Sequence, residues 1–301
     1  MLLSNDKQLF NKFIRDISDA TSIIPSYIEK DYYAISILKE LASRNNSFVF
    51  KGGTSLSVCQ QIINRFSEDI DISYELETIT VGQRKRIKQA FFDSIEAVSL
   101  HVDNPDNIRS RRVFNRYLCS YDSYWNPAGD KVIVEWATQT PAFPIEEKTA
   151  QTIIGKYLDS IGRHELVERY NLGSFKVKTI TKERTLVDKI FAICDYHISK
   201  KLIRQSRHIY DIYQLMKYVN LDEALIELFN KVKNYRIKLD TCYSAKEDIV
   251  ISDLLLDLIN DKTYLKDYNS MTLPLLYDHV TYEECIPSIK KMIKFLKEHK
   301  M

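Results

Sequence analysis

The sequence contains few of the residues that interrupt regular structure. Only 7 glycines and 7 prolines occur among its 301 residues. No glycine-rich or serine-rich linker and no repeat of fixed period is present, which argues against a solenoid or a disordered tail. Hydrophobic residues make up 45% of the chain, enough for the core of one large domain or two smaller ones. We therefore expect an ordinary folded protein rich in helices.

Cysteine pairs are also missing. The five cysteines are scattered, odd in number and without a Cys-x-x-Cys pair. This argues against a disulfide framework and against a structural zinc site. The histidines have no zinc-ligand spacing, and the Gly-x-Ser-x-Gly turn of a serine hydrolase does not occur. We expect the cysteines to be small buried residues in a reducing compartment.

Long uncharged runs and a large excess of one charge are absent. No stretch approaches the roughly 18 uncharged residues of a membrane span, so we expect a cytoplasmic protein with no membrane partner. The net charge of +2 does not by itself indicate a nucleic-acid-binding protein. Basic residues do cluster in three places, as nucleic-acid contacts or as solvated helix faces: Arg84, Lys85, Arg86 and Lys88; Arg109, Arg111 and Arg112; Lys200, Lys201, Arg204 and Arg207.

The hydrophobic pattern predicts an α/β half followed by a helical half. Strand-like runs cover residues 47–50, 68–74, 131–136 and 175–180. Helical spacings cover residues 24–41, 56–63, 182–198 and 207–219. We predict an α/β domain over residues 1–148 and a mostly helical domain over residues 149–301.

Two aspartates on a predicted strand are the first candidate site. Side chains alternate along a strand, so Asp69 and Asp71 project from one face while Ile70 and Ile72 enter the core. Two carboxylates held so close favour a cation between them, and Mg²⁺ or Mn²⁺ prefers such hard oxygen ligands. The alternative is an acidic pair that simply faces solvent.

A glycine turn precedes this strand. Gly52 and Gly53 follow a short strand, and Thr54 and Ser55 lead into a helix. Glycines let the backbone approach a phosphate closely, and a helix start offers unpaired N–H groups. The spacing fits neither a Walker loop nor a dinucleotide-binding turn. The alternative is a tight turn without a ligand.

Glu135 is the candidate third carboxylate. It alternates with Val132 and Val134, so it faces away from that apolar pair. On a strand next to the two aspartates it would complete a two-metal site for phosphoryl transfer. The alternative is a surface glutamate on an edge strand.

Several motifs together carry a resemblance to a known family. They are Glu29-Lys30-Asp31-Tyr32-Tyr33, Phe50-Lys51-Gly52-Gly53-Thr54-Ser55-Leu56-Ser57, Arg65-Phe66-Ser67-Glu68-Asp69-Ile70-Asp71, Glu183 to Lys189, Arg207 to Tyr213 and Asp267 to Met271. With these motifs the chain resembles the AbiEii/AbiGii-type nucleotidyltransferases, which are toxins of type IV toxin–antitoxin and abortive-infection systems. It departs from the family pattern at His208, where an acid is common.

The resemblance implies a fold and a site. The fold would be a polymerase-β-like nucleotidyltransferase core with a small mixed sheet, followed by a helical domain that closes over the nucleotide. Asp69 and Asp71 would bind the metal ion, Lys189 would contact phosphate or the leaving group, and Asp211 would position Lys189 or the acceptor. The nucleotide would be held by Lys51, Gly52, Gly53, Thr54, Ser55, Arg65 and Ser67.

The resemblance also implies an activity. Family members transfer a nucleotide from an NTP to an acceptor hydroxyl, which in characterised relatives is tRNA, and so halt translation. A cognate antitoxin is a possible partner. Other functions stay open: a non-catalytic nucleotide or RNA-binding module of the same fold, a metal-dependent nuclease, and a nucleotidyltransferase that modifies a small molecule.

Three side chains also have simpler explanations. Lys189 is what a solvated helix lysine would look like. Arg207 and Asp211 are spaced as an i,i+4 pair that braces its own helix. Arg65 either anchors a phosphate or pairs with the nearby Glu68 or Asp69.

Overall fold

The computed structural model describes residues 1–45, 47–67, 69–75, 79–104, 114–138 and 140–301. Glu68 and the basic cluster of Arg109, Arg111 and Arg112 lie outside the described residues. The chain divides into two compact units. The first comprises Met1–Gln60 and Phe66–Ile180, and the second comprises Gln61–Arg65 and Thr181–Met301.

The first unit holds a sheet and its covering helices. Its elements are α1 (Lys7–Thr21), α2 (Pro25–Arg44), β1 (Phe48–Lys51), α3 (Gly52–Val58), β2 (Asp69–Tyr74), α4 (Val81–Ala97), β3 (His101–Val102), β4 (Phe114–Tyr121), β5 (Asp130–Ala137), β6 (Ile145–Ala150), α5 (Ile153–Ser160), α6 (His164–Arg169) and β7 (Phe175–Ile180). The strands form one seven-stranded mixed sheet in the order β3-β4-β5-β2-β1-β7-β6. β2 pairs parallel with β5 and antiparallel with β1, which places it at the centre.

The second unit is helical in its described elements. They are α7 (Lys182–Ile198), α8 (Arg207–Leu215), α9 (Glu223–Arg236), α10 (Ile251–Asn260), α11 (Leu265–Asp267) and α12 (Tyr282–Glu298), with a π-helical turn at Tyr268–Thr272. α7 and α8 carry the candidate residues Lys189 and Asp211. Thr181 caps α7 by accepting a hydrogen bond from the Arg184 N–H at 3.3 Å, which accounts for the start of the helix at Lys182.

The strands of the first unit bury one face of the sheet. Residues of β4, and those of β5 from Val132 onward, alternate between buried and half-buried positions. The buried side packs against α1, α2 and α4, where Tyr32, Leu38 and Phe91 are at most 1% exposed. The half-buried side of the central strands is therefore the face on which polar residues collect.

The boundary predicted from sequence lies at residue 148, whereas the first compact unit runs on to Ile180. The two units meet in sequence between Ile180 and Thr181. The reason is β6, which pairs antiparallel with β7 while β7 pairs parallel with β1. Residues 145–180 thus complete the sheet. The polar run Glu146-Glu147-Lys148 within β6 gave no strand signal.

Other expectations have clear outcomes. The helices at 24–41 and 182–198 and the strands at 47–50, 131–136 and 175–180 correspond to α2, α7, β1, β5 and β7. α3 begins at Gly52, earlier than expected, and ends at Val58. All five cysteines are buried and free. In the described ranges, no helix is both long and apolar enough to cross a membrane.

The motif at residues 29–33 fixes α2 within the first unit. Its three charged side chains each bind a different segment: Glu29 accepts a hydrogen bond from the Ser123 hydroxyl, Lys30 Nζ donates at 3.1 Å to Asp130, and Asp31 accepts from the Ile153 N–H at 2.7 Å. Glu29 and Lys30 are 2% and 8% exposed, and polar or charged groups at such depth are stable only when they have partners. The motif therefore serves the fold of the sheet unit.

Candidate active site

Asp69 and Asp71 lie on the central strand, on the half-buried face of the sheet. Ile70 and Ile72 alternate with them and are both 0% exposed on the opposite face. The period of the strand therefore directs both carboxylates to one side. Two like charges at this spacing are unfavourable unless positive charge compensates them.

Gly52 lies directly against the Asp71 carboxylate. Its φ is +80°, and a Cβ at this position would come within 2.1 Å of Asp71 Oδ2. A side chain here would occupy the space of that oxygen, and L-residues rarely adopt this φ. Lys51 pairs with Asp71 across β1 and β2, which brings the glycine turn to the carboxylate. The structure thus places the turn and the acidic pair side by side.

Thr54 fastens the glycine turn to the acidic strand. Its hydroxyl donates to the Asp69 backbone carbonyl at 2.6 Å and lies 3.0 Å from Ser67 Oγ. Thr54 and Ser55 are only 3% and 2% exposed. Both hydroxyls are sequence-predicted ligands of triphosphate oxygens. In this conformation the Thr54 hydroxyl is hydrogen-bonded to β2, and the first N–H groups of the helix are further candidates for binding an anion.

Glu135 is the neighbour of Asp71 on β5. The two residues are partners in the parallel register, so their side chains share a face. Arg116 on β4 is the partner of Glu135 in turn, and its Nε lies 3.3 Å from Glu135 Oε1. Four adjacent strands therefore carry a row made of Arg116, Glu135, Asp71 and Lys51. Sequence reasoning missed Arg116 because β4 was not predicted as a strand.

These residues fit a divalent cation by their chemistry. Three carboxylates on one face are the hard oxygen ligands that Mg²⁺ and Mn²⁺ prefer. The absence of a Cβ at Gly52 leaves room for the Asp71 carboxylate itself. Over the described ranges, no three acidic, histidine or cysteine side chains are gathered closely enough to enclose an ion. Asp69, Asp71 and Glu135 share one face of the sheet, and they would have to draw together around a cation to hold it.

A second cluster of candidate residues is a buried ion network in the helical unit. Lys189 Nζ lies 2.7 Å from Asp211 Oδ2. Arg65 binds the same carboxylate with two hydrogen bonds of 2.8 Å, from Nε to Oδ1 and from Nη2 to Oδ2. The side chains of Arg65 and Asp211 are 1% and 0% exposed, and that of Lys189 is 10% exposed. Charges this deep require such pairing.

The two cations keep Asp211 ionised. Burial alone would raise the pKa of Asp211, but the charges of Arg65 and Lys189 outweigh burial and hold that pKa far below its usual range. Burial lowers the pKa of Lys189 despite the attraction of Asp211. Asp211 is therefore a fixed negative charge that orients the Lys189 ammonium group.

This network decides between explanations that the sequence left open. Lys189 is not a solvated helix lysine, because the residue is 8% exposed. Asp211 binds Lys189 and Arg65, where the sequence suggested its helical neighbour Arg207. Arg65 binds Asp211, and its side chain is 1% exposed. Arg65 supports Asp211.

Two further motif residues shape the surroundings of this network. His208 is 9% exposed and stacks on Tyr196 with ring centroids 5.8 Å apart. Burial, together with nearby Lys189 and Arg207, holds the pKa of His208 well below its usual value, so the imidazole is neutral. Asp267 accepts hydrogen bonds from the N–H groups of residues 204 and 206, at 2.7 and 3.0 Å. It thereby fixes the loop before α8.

A known family profile matches most of the chain. The match is to the AbiEii nucleotidyl transferase toxin family of type IV toxin–antitoxin systems and covers residues 36–291. The chain belongs to this family. As an AbiEii protein it is a nucleotidyltransferase, and the matched residues include the acidic pair, Glu135, Lys189 and Asp211.

Two solved structures resemble this AbiEii protein in fold. They are JHP933 from Helicobacter pylori and a candidate nucleotidyltransferase from H. pylori, each 17% identical with a TM-score of 0.50. Each alignment covers 91% of this chain, and it covers 93% and 96% of the two relatives. At this identity the likeness shows the fold alone. No curated protein matches the sequence.

Proposed function

We propose that this protein transfers a nucleoside monophosphate from an NTP to an acceptor hydroxyl of RNA, with a divalent cation as cofactor. The observation that carries the proposal is the contact of Gly52 with Asp71. It joins a glycine turn of the kind that binds phosphate to a carboxylate of the kind that binds a divalent cation. In the reaction the acceptor oxygen forms a bond to the α-phosphorus. The bond from that phosphorus to the pyrophosphate oxygen breaks, and the hydroxyl proton passes to solvent.

The sheet unit would bind the cation and the triphosphate. Asp69, Asp71 and Glu135 would hold Mg²⁺ or Mn²⁺, which when bound would offset the negative charge of the phosphates and make the attacking hydroxyl easier to deprotonate. The backbone N–H groups of Gly53 and Thr54 would meet phosphate oxygens, with Ser67 and Lys51 nearby. Lys51 is supported in this role by its place opposite Asp71 in the sheet register.

The helical unit would contribute Lys189. Its ammonium group is held by a carboxylate that stays ionised, so it needs no reorientation when negative charge develops on the phosphates. We assign Asp211 the role of positioning Lys189, and Arg65 the role of holding Asp211. If Lys189 contacts phosphate in this way, its substitution is expected to lower kcat.

RNA is the acceptor class that the basic surface favours. The loop before α8 exposes Lys200, Lys201 and Arg204, and exposed Ile203 adds an apolar contact at 74% exposure. Asp267 holds the backbone at Arg204 and Ser206, so this end of the loop needs little backbone ordering on binding. RNA and NTPs are cytoplasmic, and the toxin family implies an antitoxin there that restrains the enzyme.

A labelling experiment tests the proposed function. The protein is incubated with Mg²⁺, total RNA and each α-labelled NTP in turn, alongside Asp69→Ala and the same NTPs labelled at the γ-phosphate. We expect label on RNA only from an α-labelled NTP, and none with Asp69→Ala. RNA that shortens without NTP would indicate a nuclease instead. Label transferred to a small molecule in an RNA-free extract would contradict the acceptor class.

A further inference from the structure

Arg116 forms one end of a charged row that crosses four strands of the sheet. Glu135 is its partner in the antiparallel pairing of β4 with β5, and Asp71 is the partner of Glu135 in the parallel pairing of β5 with β2. Lys51 ends the row on β1. Partners in adjacent strands project from the same face, so two carboxylates lie between two cations.

The contact of Arg116 with Glu135 is loose. Arg116 Nε lies 3.3 Å from Glu135 Oε1, and this Nε makes no hydrogen bond of good geometry with any residue in the described part of the chain. The two side chains are 41% and 29% exposed, so water screens their attraction. By contrast, Arg65 holds Asp211 with two hydrogen bonds of 2.8 Å at almost no exposure. The Arg116 pair is therefore the one that can exchange partners at low cost.

We propose that Arg116 and the divalent cation compete for Glu135, and that Arg116 turns to the nucleotide phosphates when the cation binds. The inference rests on the proposed function and adds a positioning residue to it. Before the cation arrives, the guanidinium compensates the repulsion between Glu135 and Asp71. Once Glu135 binds a cation, Arg116 needs a new anionic partner on the same face of the sheet. The triphosphate provides that partner, and a guanidinium suits it because it can bind two phosphate oxygens at once.

Binding of Mn²⁺ without nucleotide tests the competition. Free and bound Mn²⁺ are measured by electron paramagnetic resonance for wild type, Arg116→Ala and Arg116→Lys. We expect Arg116→Ala to bind Mn²⁺ roughly 2- to 5-fold more tightly, since an exposed ion pair no longer opposes binding. Arg116→Lys should lie between the two. In the same variants KM for the NTP should rise, because the phosphate contact is lost.

A charge-matched control is available in the same unit. Arg163 and Glu165 form an exposed ion pair at 3.4 Å with both side chains 61% exposed. Arg163→Ala removes one positive charge from the unit at another place, and it should leave Mn²⁺ affinity unchanged. In the background Glu135→Gln, the further change Arg116→Ala should no longer tighten Mn²⁺ binding.

The outcomes separate the two proposals. Mn²⁺ affinity that is unchanged or weaker in Arg116→Ala, while Asp71→Asn still abolishes binding, would overturn the exchange and leave the metal site standing. Mn²⁺ binding that is equal in wild type and Asp71→Asn, or undetectable in wild type, would overturn both. Tighter binding with an unchanged KM for the NTP would contradict the phosphate contact.

Discussion

The Asp71 carboxylate fills the space in which a side chain at Gly52 would begin. A Cβ on Gly52 would lie 2.1 Å from Asp71 Oδ2, and the residue's φ of +80° is itself unfavourable for other amino acids. The turn that is proposed to receive phosphate and the carboxylate that is proposed to hold the cation are therefore one structural feature. Neither can change without displacing the other.

This contact predicts a large effect of Gly52→Ala. The new Cβ must displace Asp71 or the turn, and the backbone must keep a strained φ, so we expect a loss of about 1–3 kcal/mol in the free energy of unfolding. The matched control is Gly82→Ala on α4, where no atom lies within 4 Å of the new Cβ. That change should be neutral or stabilising by up to about 1 kcal/mol. Urea unfolding compares them, and equal losses in both variants would contradict the contact.

The buried network predicts different effects for its two ends. Asp211→Ala leaves the charges of Arg65 and Lys189 buried without their partner, so we expect destabilisation of about 3–5 kcal/mol. Lys189→Met leaves Asp211 paired with Arg65 through two hydrogen bonds and should unfold much closer to wild type. It should nevertheless lose nucleotide transfer. Thermal unfolding and transfer rates measured on both variants check this, and a folded Lys189→Met with full activity would remove Lys189 from the site.

Asp31 predicts a pH dependence of stability. Burial raises the pKa of Asp31 to about 7, whereas an aspartate in an unfolded chain has a pKa of about 3.9. Between these values the folded protein keeps a proton that the unfolded chain has lost. The stabilisation is therefore fully present below about pH 4 and falls as pH rises to about 7, by up to about 1.4 kcal/mol per pH unit.

Asp31→Asn removes this titration and keeps an oxygen that can accept the hydrogen bond from the Ile153 N–H. We expect the variant to lack the component of the wild-type stability loss that arises between pH 4 and pH 7. Urea unfolding at unit steps of pH measures the difference. Parallel stability curves for the two proteins would show that Asp31 is ionised in the folded state.

The loop before α8 predicts how RNA affinity depends on salt. Each phosphate contact contributes about 0.7–0.9 to the slope of log affinity against log salt. We expect Lys200→Ala with Lys201→Ala to reduce that slope by about 1–2. The control is Lys290→Ala with Lys291→Ala, which removes two exposed lysines from α12. Fluorescence anisotropy with a labelled RNA measures both, and equal slopes in the two double variants would place the RNA elsewhere.

Local pattern predicted the central part of the sheet unit well. β2 and β5 are short runs of alternating or continuous apolar residues, so their period identified the face that carries Asp69, Asp71 and Glu135. The glycine turn was found from its composition, because paired glycines indicate a backbone conformation that other residues rarely adopt. β4 and β6 were not predicted as strands because polar residues interrupt the alternation of apolar and polar side chains in both. Arg116 was missed as a candidate for the same reason, since it lies on β4.

The buried network could not be predicted from local pattern. Arg65 and Asp211 are 146 residues apart, and each has closer charged neighbours in the sequence that suggested other partners. Lys189 stood opposite an apolar stripe on α7 and therefore looked solvated. In the structure α7 is buried on more than one face, and Arg184, Thr185 and Lys189 are among its buried residues. The single apolar stripe seen in the sequence therefore did not describe the burial of the helix. Residues that become partners only through tertiary structure leave no periodic pattern in the sequence from which the pairing could be predicted.

The central claim is that the Asp71 carboxylate is chemically required for nucleotide transfer. Asp71→Asn keeps the size of the side chain beside Gly52 and removes its charge, so transfer of label from the α-labelled NTP to RNA measures that charge directly. The account predicts a folded protein whose transfer rate falls by roughly 100-fold or more, the equivalent of several kcal/mol of lost metal-ion stabilisation. Transfer at the wild-type rate by a folded Asp71→Asn would contradict it.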